Sequence, residues 1–124
     1  EKAIWGELAS TCAQNNGIKA TVIYGSARDL DALLYMDYPI FASNFCPNAG
    51  SALGLGSLDE PIEVEGMKIN PGDFFFGDES GIVVIPKEVF GQVMAQTLLV
   101  KMKESGIIKD LSGGKTLAEI VGLK

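Results

Sequence analysis

Within about twenty residues the chain spells out a strand, a turn, a helix and a second strand, which commits it to a mixed α/β fold. Thr21-Val22-Ile23-Tyr24 is a short, β-branched apolar run of the kind that fills a buried strand. Gly25-Ser26 predicts a turn, and Asp29 stands where a helix amino-terminal cap belongs, ahead of a helix over Leu30 to Met36. Asp37-Tyr38-Pro39 breaks that helix, and Ile40–Ala42 suits the next strand. This arrangement sets an adjacent Arg28-Asp29 pair at a strand's carboxyl end. Arg offers a planar fork matched to a carboxylate, and Asp an oxygen ligand for a hard cation. A carboxylate substrate beside a metal ion is the simplest chemistry for such a pair. Taken alone the dipeptide is weak evidence, since most Arg-Asp neighbours are solvated surface pairs.

On either side of this unit the pattern stays mixed. Residues 5–16 predict a short amphipathic helix, with Trp5, Leu8 and Cys12 on an apolar face, Ala9 and Ala13 beside them, and Ser10, Thr11 and Gln14 outward. Residues 44–60 are rich in Gly, Ser and Asn and read as a long loop, which in a small domain is functional or sits at an interface. Ile62–Glu65 and Met67–Ile69 predict a hairpin, Asn70–Asp73 a turn, Phe74–Phe76 a strand, and Ile82–Ile85 a buried strand after the turn Asp78–Gly81. Asp73 and Asp78 read as turn residues, and Gly25, Gly72 and Gly81 as suppliers of positive φ. Pro86 predicts the opening of the longest helix, whose Phe90, Met94, Leu98, Met102 stripe reads as core and which Ser105-Gly106 stops. A last helix covers Thr116–Val121. About five strands leave much apolar surface, so either a further part of the domain or other subunits must cover it.

Composition narrows the function. At 124 residues with 47% hydrophobic content, the chain supports one globular core. Sixteen acidic residues against ten basic ones give a net charge of −6, which argues against a nucleic-acid surface. No apolar run reaches a membrane span and no leader pattern opens the chain, so the expectation is a cytoplasmic protein without membrane contact. Cys12 and Cys46 form neither a disulfide framework nor a CxxC site and read as reduced thiols. Histidine is absent, so acid–base and metal chemistry falls to carboxylates, Arg, Lys, Tyr or water.

Four motifs in order, Trp5-Gly6-Glu7-Leu8, Gly25-Ser26-Ala27-Arg28-Asp29, Pro71-Gly72-Asp73 and Asp78-Glu79-Ser80-Gly81-Ile82-Val83-Val84-Ile85-Pro86, closely resemble one family. It holds the regulator of ribonuclease activity A and the class II 4-hydroxy-4-methyl-2-oxoglutarate (4-carboxy-4-hydroxy-2-oxoadipate) aldolases. The resemblance implies a swivelling β/β/α domain of the α/β class, trimeric or hexameric, with residues 1–124 as its carboxyl-terminal portion, lacking the amino-terminal part. In the aldolases an acid, usually Asp, stands twenty residues ahead of the Arg-Asp pair. Here twenty residues separate Glu7 from Arg28, so the spacing is met by a longer carboxylate. A variant of the pattern carries acids after the pair instead, and Ala32 does not provide one.

Carried over residue by residue, the resemblance implies catalytic roles for Glu7, Arg28 and Asp29. Gly6, Glu7, Leu8 and Ala9 would form a helix amino terminus whose N–H groups bind a substrate carboxylate, together with Arg28. Asp29 would hold Mg²⁺ or Mn²⁺, a Lewis acid toward a pyruvate-like enolate, and a water assisted by Glu7 would accept the proton. The implied activity is a metal-dependent lyase releasing pyruvate from 4-hydroxy-2-oxo acids by retro-aldol cleavage, with oxaloacetate decarboxylation through the same enolate. The alternative is a regulator that binds and inhibits a ribonuclease without chemistry. Without the family, Glu7 is simply a favourable acid in a first helical turn, and Trp5 a packing anchor.

Overall fold

The computed structural model describes residues 1–123, which fall into two compact units: Glu1–Lys68 with Gly77–Ile82, and Ile69–Phe76 with the residues from Val83 onward. The first is built on β1 (Ala3–Trp5), α1 (Glu7–Asn15), β2 (Thr21–Ala27), α2 (Leu30–Tyr35) and β3 (Ile40–Phe45). The three strands form one parallel sheet in the order β1-β2-β3. On the other side of β1, Asn48–Gly50 runs alongside: Ala3 N–H donates to Asn48 O at 2.7 Å, and Gly50 N–H to Ala3 O at 2.8 Å.

The strand–helix–strand unit is present, with two differences: β2 is not buried throughout, Val22 and Tyr24 being exposed, and it runs longer than expected. β2 continues through Gly25-Ser26 to Ala27, because Ser26 pairs with Asn44 and Ala27 with Phe45 on β3. Gly25 is therefore a strand residue without positive φ, and the predicted turn reduces to a register shift between Ile23 and Ser26. Ile23, Ala27 and Leu33 make the core, with Trp5, Met36, Ile40 and Ala42 packed against it. Each large side chain so buried contributes about 1.5–3 kcal/mol.

α1 keeps Ala9 and Ala13 inward as expected but is rotated about them. Ser10 and Ala13 are buried, whereas Leu8 is 78% exposed and Cys12 is exposed. A hydroxyl is cheap to bury when donor and acceptor are both satisfied. Ser10 Oγ accepts from Trp5 Nε1 at 2.8 Å and donates to Gly6 O at 2.9 Å. Trp5 itself belongs to β1, not to the helix.

β4 (Ile62–Val64) and β5 (Met67–Ile69) form the expected hairpin. Glu65 and Gly66 both have positive φ, as a two-residue turn matched to strand twist requires. A second hairpin pairs β6 (Phe74–Asp78) with β7 (Gly81–Ile85), and Asp78 Oδ1 accepts the Ser80 N–H at 2.7 Å across its turn.

In the second unit, Pro86 lies in a turn closed by Val89 N–H on Pro86 O, and α3 (Phe90–Ser112) begins only at Phe90. Gly106 does not stop α3. A lone helical glycine costs about 1 kcal/mol against Ala but leaves the hydrogen-bond ladder intact. Phe74 stacks on Phe90 with ring centroids 3.8 Å apart. The rest of the predicted stripe is not core among the described residues: α3 has no buried position, with Leu98 60% and Met102 72% exposed. α4 (Leu117–Val121) opens with a capping box between Thr116 and Glu119. Among the described residues no helix is long and apolar enough to cross a membrane.

Asp73 ties the turn before β6 to the segment before α3. Its carboxylate accepts the Asn70 N–H at 2.8 Å and the Lys87 N–H at 3.0 Å. These bonds, that to Asn70 foremost, hold its pKa below the ordinary 3.8. A carboxyl whose folded pKa is depressed binds fewer protons folded than unfolded, so its stabilisation is complete above 3.8 and drains away as pH falls through the folded value. Asp73→Asn should therefore lower Tm at neutral pH, with the gap from wild type closing in strongly acidic buffer. Thermal melts across pH check this; a gap that widens in acid contradicts it.

Candidate functional site

The site is assembled where β1 hands over to α1 and β2 ends. Arg28 N–H donates to Trp5 O at 2.9 Å, which pins the end of β2 to the end of β1. Gly6 follows at once as the residue before α1 and opposes the Arg28 and Asp29 side chains. A Cβ built on Gly6 would collide with Asp29 Oδ2 and lie 2.9 Å from Arg28 Cγ and 3.2 Å from Arg28 Nε. Gly6 has extended backbone angles open to any residue (φ −173°), so space and not conformation demands glycine here.

Asp29 has a left-handed backbone, φ 59° and ψ 38°, which costs an L-residue roughly 1–2 kcal/mol and which Asp tolerates better than most. It precedes α2 as predicted, yet its side chain does not cap that helix. The carboxylate turns instead to the start of α1, where Oδ2 accepts the Glu7 N–H at 3.1 Å. A negative group there meets an orphan amide and the positive end of the helix dipole. Arg28 Nε sits 3.5 Å from the same Oδ2, with both side chains 39% exposed. At that exposure the ion pair adds little stability; it orients the guanidinium. The other guanidinium nitrogens have no hydrogen-bond partner among the described residues.

Beside this junction lies a cleft of about 280 Å³, near the small end of ligand cavities. Arg28 lines it with Gly6, Leu8 and Ala9. Helical geometry gives the Leu8 and Ala9 amides no partner within α1, and the first intrahelical bond runs from Ser10 N–H to Gly6 O at 3.0 Å. Of the residues singled out from sequence, Gly6, Leu8, Ala9 and Arg28 share the cleft, and Asp29 packs behind Gly6. Glu7 joins through its backbone; its side chain is not among the cleft-lining groups.

The remaining lining includes Ile4 and Ala49–Ala52, which no motif in the sequence marks. The signal for part of it was the Gly/Ser-rich loop. Its entry beside β1 is tight: a Cβ on Gly50 would lie 3.0 Å from Ala3 O.

Among the described residues no three His, Cys, Asp or Glu side chains cluster as a closed metal cage. The donor set instead suits a cation that keeps most of its water. Mg²⁺ binds through one or two carboxylates plus substrate oxygens, and Asp29 has a second oxygen, Oδ1, with no hydrogen bond among the described residues.

Fold and site together define a mixed α/β domain with a small cleft, lined by Arg28 and the start of α1, at the end of a parallel sheet. The chain belongs to the RraA-like family, described as Aldolase/RraA, which matches residues 1–84. It is 37% identical over all of its 124 residues to an uncharacterized protein of Methanocaldococcus jannaschii, and spans 60% of that relative's length. A crystal structure of an uncharacterized protein from Pseudomonas syringae superposes with a TM-score of 0.88 at 34% identity, covering 96% of this chain and 60% of that one. A Halalkalibacterium halodurans protein provisionally named 4-hydroxy-4-methyl-2-oxoglutarate aldolase is 36% identical over 86 residues, 69% of this chain and 41% of its own.

Proposed function

We propose that this chain carries the catalytic cleft of a divalent-metal-dependent lyase that releases pyruvate from 4-hydroxy-2-oxo acids, and that also decarboxylates oxaloacetate. The observation that carries the reading is that Arg28, with its outer guanidinium nitrogens unengaged, and the first turn of α1 at Leu8 and Ala9 line one small cleft, with Asp29 just behind Gly6. The relatives named as aldolases support it.

On this reading the substrate carboxylate docks on the Arg28 fork and the amides of α1, a grip that sets the 2-oxo carbonyl in place. Asp29 would hold Mg²⁺ or Mn²⁺, which when bound supplies Lewis acidity toward the 2-oxo oxygen. A water assisted by Glu7 takes the proton of the C4 hydroxyl. The C3–C4 bond then breaks, its electron pair flows toward C2 to give the pyruvate enolate, and C4 leaves as a carbonyl. Protonation at C3 completes pyruvate. With oxaloacetate the same bond breaks and carbon dioxide leaves.

The regulator reading rests on the other half of the family's description and needs a protein-binding surface rather than this cleft. Parallel assays separate the two. The lyase reading expects oxo-acid turnover by the full chain and no inhibition of a ribonuclease; ribonuclease inhibition without any turnover contradicts it.

We also read the assembly as a trimer or hexamer. The apolar Leu53 and Leu55 in the long loop are exposed, as are Leu98 and Met102 on α3, and surface of that kind is ordinarily covered by protein. Light scattering at micromolar concentration should give a mass three or six times that of one chain, and a stable monomer contradicts this.

A further inference from the structure

A second cation stands at the far end of the β1 wall of the cleft. Ala3 is 4% exposed and Ile4 69%, so successive side chains of β1 point to opposite faces, and Ile4 lines the cleft. Lys2, two residues before Ile4, falls on the same face by that alternation. Its stem also starts beside the loop wall: a Cβ built on Gly50 would lie 3.9 Å from Lys2 Cβ, and Gly50 lines the cleft. Lys2 is exposed, and among the described residues it makes no ion pair. The carboxylate of its chain neighbour Glu1 is engaged elsewhere, accepting from Ser26 Oγ at 2.9 Å and Asn44 Nδ2 at 2.8 Å. Arg28 holds the opposite end of the wall, its Nε 3.2 Å from a Cβ built on Gly6. Gly6 comes four residues after Lys2, a separation of about 13 Å along extended backbone. A five-carbon dicarboxylate, roughly 7 Å between its outermost oxygens, fits between cations so placed with a charge-assisted hydrogen bond of about 2.8 Å at each end.

Resting on the lyase reading above, we propose that Lys2 is a specificity-determining residue, whose ammonium pairs with the second carboxylate of a 4-hydroxy-2-oxo dicarboxylate held by Arg28 at the first. The two cations take opposite ends of one substrate. Lys2 meets the half that leaves, so it selects the substrate and takes no part in breaking the bond. Oxaloacetate presents its second carboxylate at the same end. That carboxylate is the group lost as carbon dioxide, so there Lys2 stabilises the bound substrate and not the charge that grows on the enolate.

The test pairs substrates that differ only at C5, with the full chain and Mg²⁺ present. Lys2→Ala, a change at an exposed position that the fold tolerates, should lower kcat/KM for 4-hydroxy-2-oxoglutarate about tenfold. It should leave 4-hydroxy-2-oxopentanoate, which has a methyl group in place of the second carboxylate, within about twofold of wild type. Lys2→Arg keeps the charge and should retain the dicarboxylate rate. With oxaloacetate, Lys2→Ala should raise KM without lowering kcat. Equal losses on the two hydroxy-oxo acids, no loss on either, or a fall in oxaloacetate kcat at constant KM overturn the role of Lys2 and leave the lyase reading intact. If wild type turns over none of the three, the lyase reading falls and calorimetry decides the rest. Wild type binding 2-oxoglutarate about tenfold more tightly than Lys2→Ala, with 2-oxopentanoate bound equally by both, keeps Lys2 as the second anion contact. Any other binding pattern overturns it.

Discussion

Gly6→Ala is expected to cost more activity than any other single methyl group added to this chain. The new Cβ would meet Asp29 Oδ2 and crowd Arg28 Cγ at 2.9 Å. Both obstructing groups are part-exposed side chains that can swing aside, but Asp29 Oδ2 then gives up the Glu7 N–H and its place beside Arg28 Nε. Relief requires moving the Arg28–Asp29 pair or tilting the start of α1, and either separates the groups assigned to grip the substrate. Overpacking of this kind costs about 1–3 kcal/mol of stability. A displacement near 1 Å at a catalytic group costs roughly 100-fold in rate. The variant should thus fold with a lowered Tm and lose about two orders of magnitude in kcat/KM. A Gly6→Ala protein with wild-type Tm and turnover would mean that the junction is loose and the site misplaced.

The second large effect is expected from Asp29→Asn. Asn also accepts a left-handed backbone, and its amide oxygen can still receive the Glu7 N–H, so the fold should stand. What changes is the charge. Lyase activity should fall at least about 100-fold, because the one carboxylate assigned to the metal is gone. Arg28→Lys should follow at about 10–100-fold, since a point charge replaces a fork that pairs two oxygens at once. Glu7→Gln should be mildest, about tenfold, because its carboxylate acts through water and does not line the cleft. Steady-state kinetics on the three variants, with circular dichroism to confirm folding, measure the order. Full metal-dependent turnover in Asp29→Asn would move the metal elsewhere.

Much of this site is legible in the sequence because its parts are local. A buried strand pattern ending in Arg28-Asp29 puts those side chains at the sheet's carboxyl edge, and Gly6-Glu7 marks the start of a helix. The hairpin around Gly66 and the last helix are local too. The misreadings come from tertiary context. Ser10 looks like an outward polar residue until Trp5 supplies a donor and Gly6 an acceptor, and with Ser10 inward Leu8 and Cys12 face out. Gly25-Ser26 looks like a turn, yet pairing with Asn44 and Phe45 on β3 keeps the strand running. Asp29 has the composition of a cap for α2; only the fold reveals that α1 lies close enough to take its carboxylate. The cleft wall at Ala49–Ala52 depends on the loop returning beside β1, which no periodicity announces.

The central claim is metal-dependent carbon–carbon cleavage at the Arg28–Asp29 cleft, and its most direct test is pyruvate release. The full chain is incubated with 4-hydroxy-2-oxo acids and with oxaloacetate, and pyruvate is followed continuously through lactate dehydrogenase. Turnover is expected with Mg²⁺ or Mn²⁺, loss of it on adding a chelator, and recovery when the cation is restored in excess. Pyruvate release at an undiminished rate in chelator, or none from any oxo acid with either cation, would contradict the account.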